Sequence, residues 1–355
     1  MEYDVLFVCG TLDYENSVSG NYILYKCLKK VDNLKIKVLP LFTHTKQEID
    51  SEDFLQFVQP SPENLNYLIS IIPKHKVLFL SGNDFPTFLT KMICEKFNSK
   101  FVTITMSHWM FGNSSNYPEI EDDMDGAIVS DRRDLWESLD STIIVGSTNS
   151  YNVLKNSELK NIKSELIPFP FEEIDIDTDY KKTDSDKKYI LWGTTQPQRV
   201  RKGKAYFENI LEWLYKKVKN PNDIIIHQIG PKSDLDTKFK VEYIGYIPTR
   251  KELSKVYKNA NVFALTTLAD AGPMMAVECI KNETPLVSFA TNISTDIVKD
   301  GKNGYIVDGT EEYADKLYDI LYNKNFHIDL DYVKQFNSED IVMKKYNEFF
   351  KNILK

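Results

Sequence analysis

The stretch 269–287, Ala-Asp-Ala-Gly-Pro-Met-Met-Ala-Val-Glu-Cys-Ile-Lys-Asn-Glu-Thr-Pro-Leu-Val, contains a helix with a marked start and a marked stop. Gly272 permits a tight backbone turn, and Pro273 suits the first helical position, where its missing N–H costs nothing. Met274 to Lys281 carry the helix onward, and Pro285 closes the unit. Apolar runs flank it at Asn261 to Thr267 and at Leu286 to Ala290, each short enough for a buried strand. Strand, helix and strand in this order form a crossover unit of a parallel sheet.

A helix that starts just past the carboxyl end of a parallel strand turns free N–H groups and the positive end of its dipole toward a ligand. Two carboxylates flank this one. Glu278 lies five residues past Pro273, about 7.5 Å along the axis at the usual rise per residue, and Asp270 lies in the loop on the other side. Backbone N–H groups suit phosphate, and carboxylates suit diols. The layout fits a nucleotide diphospho-sugar, with a ribose diol at one end, a pyrophosphate in the middle and sugar hydroxyls at the other.

Asp270 to Glu278, then Thr284-Pro285-Leu286-Val287, then Asp300-Gly301-Lys302-Asn303-Gly304-Tyr305-Ile306-Val307, resemble the donor-site signature of retaining glycosyltransferases of family 4. That signature is a Glu, seven residues, a second Glu, a Gly-Thr-Pro-Val-type strand and an Asp-Gly-x-x-Gly loop. The resemblance covers most of the C-terminal half. It implies an α/β protein of the GT-B fold, two Rossmann-like domains whose parallel sheets face each other across a cleft. One position departs: the first Glu of the signature is Asp270 here, a carboxylate one methylene shorter, with a different reach toward a sugar. A lone Glu on a helix is usually a solvated residue; the ordered set of Gly-Pro start, Pro strand and Gly loop is what favours the donor reading of Glu278.

A chain of 355 residues suits two domains of roughly 150 to 180 residues. Its 42% hydrophobic content, with 20 Tyr and 20 Phe, argues for filled interiors over disorder. The expected division is a Rossmann-like acceptor-side domain over 1–172, a charged linker over 173–188, a Rossmann-like nucleotide-sugar domain over 189–336, and a helix over 337–355 that crosses back to the first domain. Net charge is −8, and the first 170 residues hold 16 Lys and Arg against 23 Asp and Glu. That balance opposes nucleic acid and anionic membranes as partners, and no basic membrane-binding face is visible. The start, Met1-Glu2-Tyr3-Asp4, does not read as a signal peptide, and no run of about 18 apolar residues occurs. Cys9, Cys27, Cys94 and Cys279 lie far apart in apolar contexts and read as reduced core residues of a cytoplasmic protein.

Along the chain, a strand at Asp4 to Cys9 ends in Gly10, and Ser19-Gly20-Asn21 leads into an amphipathic helix to Lys30. Strands recur at Ile36 to Leu41, Lys76 to Leu80, Phe101 to Thr105 and Thr142 to Val145, with helices at Glu63 to Ile72 and Asp84 to Phe97. This alternation predicts a parallel sheet covered on both faces. After Thr105 come His108, Trp109 and Phe111, then an acidic loop from Tyr117 to Asp134; its run Glu119 to Asp125 reads as solvated, since nothing fixes a metal geometry. The second half opens with a strand at Tyr189 to Gly193, a polar loop from Thr194 to Arg201, then Lys202-Gly203 and a helix to Val218. A turn at Tyr243 to Pro248 and helices at Lys251 to Lys258, Glu311 to Tyr322 and Ser338 to Leu354 complete it.

The resemblance assigns roles to these positions. Gly20 lets the backbone approach the donor phosphates. His108 sits near the reactive carbon of the donor sugar, against the alternative that it only packs beside Trp109 and Phe111. Arg201-Lys202-Gly203 matches an Arg-Lys-Gly element whose Lys neutralises the leaving diphosphate, and Arg199 is the substitute for an Arg that relatives carry where this chain has Thr194. Gly272, Pro273 and the Met274 and Met275 amides complete the donor contacts, with Glu278 on the ribose. His108, Lys202 and Asp270 are the catalytic candidates. No metal and no resident cofactor are expected, because the Asp175-Ile176-Asp177 pair falls in the linker. The implied reaction moves a sugar from a UDP- or GDP-sugar to a hydroxyl acceptor, a glycan, with retention. A sugar-nucleotide epimerase and a non-catalytic nucleotide-sugar-binding protein remain as alternatives.

Overall fold

The computed structural model describes residues 2–11, 20–42, 54–55, 64–82, 85–105, 126–168, 179–182, 185–194, 196–269, 274–291, 293–323, 328 and 330–355. The first half alternates strand and helix: β1 (Tyr3–Thr11), α1 (Gly20–Lys29), β2 (Ile36–Phe42), α2 (Leu65–Ile71), β3 (His75–Ser81), α3 (Thr87–Phe97), β4 (Lys100–Thr105), α4 (Gly126–Ser138), β5 (Ser141–Val145), α5 (Thr148–Lys155) and β6 (Lys163–Leu166). The second half repeats the plan with β7 (Lys188–Gly193), α6 (Lys204–Lys217), β8 (Ile224–Ile229), β9 (Lys240–Gly245), α7 (Arg250–Asn259), β10 (Val262–Leu265), α8 (Met274–Lys281), β11 (Leu286–Phe289), α9 (Ser294–Ile297) and β12 (Gly304–Val307). Helices α10 (Thr310–Tyr322), α11 (Leu330–Asn337) and α12 (Glu339–Ile353) close it.

Two six-stranded sheets result, in the orders β2-β1-β3-β4-β5-β6 and β12-β11-β10-β7-β8-β9, and the paired strands of both are parallel. Unbroken buried runs such as Val5-Leu6-Phe7-Val8 and Ile224-Ile225-Ile226 fit sheets covered on both faces by helices. In each sheet the strand order reverses once, between β1 and β3 in the first and between β7 and β10 in the second. Beyond the carboxyl ends of the strands at such a reversal lies the crevice where α/β proteins take ligands.

Helix α12 lies on the first domain. Its Tyr346, Phe349 and Phe350 are buried in the same cluster as Phe7, Phe79 and Val102 of the first sheet. Burying an aromatic side chain of this kind contributes about 1.5–3 kcal/mol. Asp32 donates its N–H to Asn347 Oδ1 at 2.9 Å, and Lys345 Nζ donates to the Leu166 carbonyl at 2.9 Å. Part of the charged stretch between the sheets is also docked: Asn259 Nδ2 donates to Tyr180 Oη at 2.6 Å, and Lys182 Nζ to the Ala260 carbonyl at 3.1 Å. The Lys182 contact satisfies a carbonyl at the carboxyl end of α7, where a cation also complements the helix dipole, and the Asn259 contact ties the same end to Tyr180 through side chains.

Two local expectations fail. The acidic loop read from Tyr117 to Asp134 runs into helix α4, which begins at Gly126. Arg132, Leu135 and Trp136 form its buried face at i, i+3 and i+4, and the neighbouring charges conceal that spacing in the sequence. The pattern around Tyr243 predicts only a turn, whereas Lys240–Gly245 form the edge strand β9. Lys240 and Glu242 interrupt the apolar run that marks the buried strands, as befits an edge.

Candidate active site

The β7–α6 turn and the carboxyl end of β10 meet at the reversal point of the second sheet. Gly203 makes the approach possible: its φ is +74°, and a Cβ there would overlap the Thr266 carbonyl oxygen. The turn is then laced to β10. The Leu268 N–H donates to the Arg201 carbonyl at 2.8 Å, Thr266 Oγ1 donates to the Lys202 carbonyl at 3.4 Å, and Trp192 Nε1 donates to Thr266 Oγ1 at 3.0 Å. Arg201 braces the same loop with its guanidinium, donating to the Ala269 carbonyl at 3.3 Å and to Gln196 Oε1 at 3.2 Å. Arg201 and Lys202 are half-buried on this turn, while Arg199 is exposed. Two bonds within this loop therefore hold the Arg201 guanidinium in place.

Thr266, Thr267, Leu268 and Ala269 are buried and bring the chain to the start of α8. Asp270, Gly272 and Pro273 lie outside the described residues, as does His108 beyond β4. Met274 and Met275, both half-buried, form the first turn of α8. Glu278 follows one turn later and is buried, at 6% exposure, a depth unlike that of a solvated helix residue. Tyr257 of α7 donates its hydroxyl to Glu278 Oε2 at 3.1 Å. Burial raises the carboxyl pKa above the ordinary Glu value; the Arg250 charge, the Tyr257 hydrogen bond and the Lys281 charge pull it back. A buried carboxyl flanked by cations and fixed by a tyrosine is poised to accept from a ligand hydroxyl.

The other parts of the signature hold the fold. At the amino end of β12, away from the site, the Gly301 N–H donates to the Gly304 carbonyl at 2.9 Å, and Gly301 has a φ of +72°. Asp300 Oδ1 accepts the Ile306 N–H at 2.9 Å, and Asn303 spans from the Lys299 N–H to the Ile297 carbonyl. Thr284 Oγ1 donates to the Tyr257 carbonyl at 2.6 Å, which fixes the helix that carries the Glu278 partner.

Across the molecule, Gly20 opens α1 at the reversal point of the first sheet. The Ser81 hydroxyl at the end of β3 donates to Asn21 Oδ1 at 2.7 Å and ties that helix start to the sheet. Sequence reasoning did not find Tyr257, Arg250 or the bracing role of Arg201. Tyr257 carries no signal beyond its place on an amphipathic helix, and its partner is 21 residues away.

A cavity of about 950 Å³ opens at the opposite, amino end of the second sheet and is lined in part by Lys182, Lys188, Lys258 and Glu283. Its lysines stand near the carboxyl ends of α7, α8 and α10, where cations offset helix dipoles, so a structural role accounts for them. Among the described residues no group of three His, Cys, Asp or Glu is placed to hold a metal ion, and no helix is long and apolar enough to cross a membrane.

Residues 232–335 match the family model described as Glycosyl transferases group 1. A search of curated proteins returns no significant match. Among solved structures, the chain is similar to sucrose-phosphate synthase from Thermosynechococcus elongatus, with a TM-score of 0.70 at 12% identity over 98% of each chain. It is similar to HepE of Anabaena in complex with UDP and glucose, with a TM-score of 0.67 at 10% identity, covering 98% of this chain and 99% of that one. A lipopolysaccharide outer core galactosyltransferase, WaaB, gives 0.67 at 12% identity over 99% of this chain and 100% of that one. At such identities the likeness establishes the fold: two Rossmann-like domains with parallel sheets, as in GT-B glycosyltransferases.

Proposed function

We propose that this protein is a glycosyltransferase that moves a sugar from a nucleotide diphospho-sugar, a UDP- or GDP-sugar, to a hydroxyl acceptor, a glycan, with retention of anomeric configuration. The observation that carries this reading is the cationic β7–α6 turn laced to β10 at the reversal point, followed within one helix by the buried Glu278. The region matched by the glycosyltransferase model includes β10, α8 and Glu278, which supports it.

In this reading Lys202 neutralises the departing diphosphate with the N–H groups at the start of α8, and Arg201 keeps that turn closed on β10. Glu278 accepts from the ribose diol. Asp270, the Met274 and Met275 amides and His108 position the sugar, and Gly20 brings the first domain's backbone to the phosphates. Attack comes from the face that the leaving group vacates, and the diphosphate takes the acceptor's proton. The four free cysteines, all buried, suit a reducing compartment, and we place the reaction in the cytoplasm.

Incubation with a panel of UDP- and GDP-sugars tests the reading. Transfer, or slow hydrolysis of one donor, supports it; epimer formation points to an epimerase, and binding without turnover to a non-catalytic protein. Because helix dipole and cations carry the charge here, the rate is expected to withstand a chelator. A collapse that Mg²⁺ or Mn²⁺ restores contradicts that part of the reading.

A further inference from the structure

Among the described residues, a polar and an apolar contact join the domains beside the candidate site, alongside a longer bond from Asn149 Nδ2 to the Ala290 carbonyl at 3.5 Å. The N–H of Thr148, the first residue of α5, donates to Asp296 Oδ2 on α9 at 2.9 Å. Helix α5 follows β5 of the first sheet and α9 follows β11 of the second, so the bond links the carboxyl-end faces of the two sheets. Ser147 caps α5 from within, its Oγ accepting the Ser150 N–H at 3.1 Å. Asp296 therefore takes a second orphan amide and brings negative charge to the positive end of the helix dipole. A carboxylate in the first turn of a helix commonly serves its own amides, but this one bonds to the other domain. The second contact is apolar: Met274, at the start of α8, packs against the first domain's core cluster and the second domain's at once.

Helix α9 is also tied back to the site. Ser288 Oγ donates to Ser294 Oγ at 3.1 Å, and Thr291 Oγ1 donates to the Thr267 carbonyl beyond β10 at 3.2 Å. Hydrogen bonds thus connect the start of α9, through the Ser294 N–H to the Thr291 carbonyl at 3.0 Å and on to Thr267, with the buried stretch 266–269.

We propose that Asp296 is a positioning residue: by accepting the first amide of α5 across the domains, it sets the angle at which the first domain stands over α8. Its effect on turnover rests on the donor-site reading above, whereas its effect on domain geometry does not. Alanine removes both charge and acceptor, asparagine keeps an acceptor oxygen, and Thr148→Pro deletes the donor itself. Proline suits the first position of a helix, and Ser147 already has the extended conformation (φ −146°, ψ 153°) that the residue before proline requires.

The test measures an interdomain distance distribution by pulsed electron paramagnetic resonance, with spin labels on Lys160→Cys and Lys302→Cys, both exposed and one on each domain. The native cysteines are all buried. Asp296→Ala and Thr148→Pro should each shift or broaden the distribution, the double variant should add nothing further, and Asp296→Asn should stay close to the unsubstituted protein. Transfer kcat should fall roughly 10-fold in the first two, the scale of a hydrogen bond to a charged group, while nucleoside diphosphate affinity stays within about 2-fold. Altered distances in a protein that turns over no nucleotide sugar would uphold the positioning role and remove the donor reading. An unchanged distribution in Thr148→Pro, with that variant folded, overturns the proposal whatever the activity.

Discussion

The two reversal points share one plan and differ in what their loops carry. In the first sheet, β1 and β3 flank a helix start marked by Gly20, where the Ser81 hydroxyl donates to Asn21 Oδ1. In the second, β7 and β10 flank a turn that holds Arg201 and Lys202, is bonded to β10 at several points, and leads to a helix with a buried carboxylate. Parallel strands alone offer a crevice in both places; the cations and the close approach of Gly203 to Thr266 are what the proposal for the second rests on. The likeness of the halves belongs to the fold, and their difference is what the proposed donor site rests on.

The largest expected effect comes from the charge. If the second point handles a leaving diphosphate, Lys202→Ala should lower kcat/KM by about 2–4 kcal/mol, as for single charge-stabilising groups. Steady-state kinetics with the preferred donor would measure it, and retention of activity within a few fold makes Lys202 a surface residue. Next comes the ordering of the ligand along α8. Glu278→Ala should weaken free nucleoside diphosphate by about 1.5–3 kcal/mol, whereas Asp270→Ala should leave that affinity nearly constant and lower turnover of the full donor. Equal losses in calorimetry would mean that the ligand lies differently.

Backbone approach gives a smaller contrast. Gly203→Ala requires a positive φ and a displaced Thr266 carbonyl, so it should lose about 1–3 kcal/mol of stability. Gly20→Ala, at the matching helix start, should change stability by about 1 kcal/mol or less. Denaturant melts of both variants decide whether the two turns are as different as described.

The smallest effect is a pH dependence of opposite sign in the two states. Glu278 has a raised folded pKa, so its contribution to unliganded stability is fully present below the ordinary Glu pKa and is lost as pH rises through the raised value. A ribose diol needs the ionised carboxylate, so nucleoside diphosphate affinity should instead rise with pH through that window. Glu278→Gln should flatten both profiles. An affinity that is level across the window would leave Glu278 without a part in binding.

The sequence marks α8 clearly, since Gly272-Pro273 and Pro285 bracket the helix found at Met274–Lys281. Lys202-Gly203 is equally visible, because glycine is demanded by one close contact. What pairs across long separations is not visible: Tyr257 with Glu278, Arg201 with Ala269, Thr148 with Asp296. Motif similarity also groups residues with different duties, as the Asp300-Gly301-x-x-Gly304 loop shapes the amino end of β12 rather than facing the site. Helix α4 stays hidden because charges sit both at exposed positions, Asp134 and Glu137, and at a buried one, Arg132.

Hydrogen exchange with and without UDP or GDP at saturation tests most directly which reversal point binds the nucleotide. The β7–α6 turn, the Thr266–Ala269 stretch and the first turn of α8 should gain protection, with little change at β3 and the interior of α1. Protection centred on α1 and the end of β3, with none around Lys202 and Glu278, would contradict the assignment of the donor site to the second sheet.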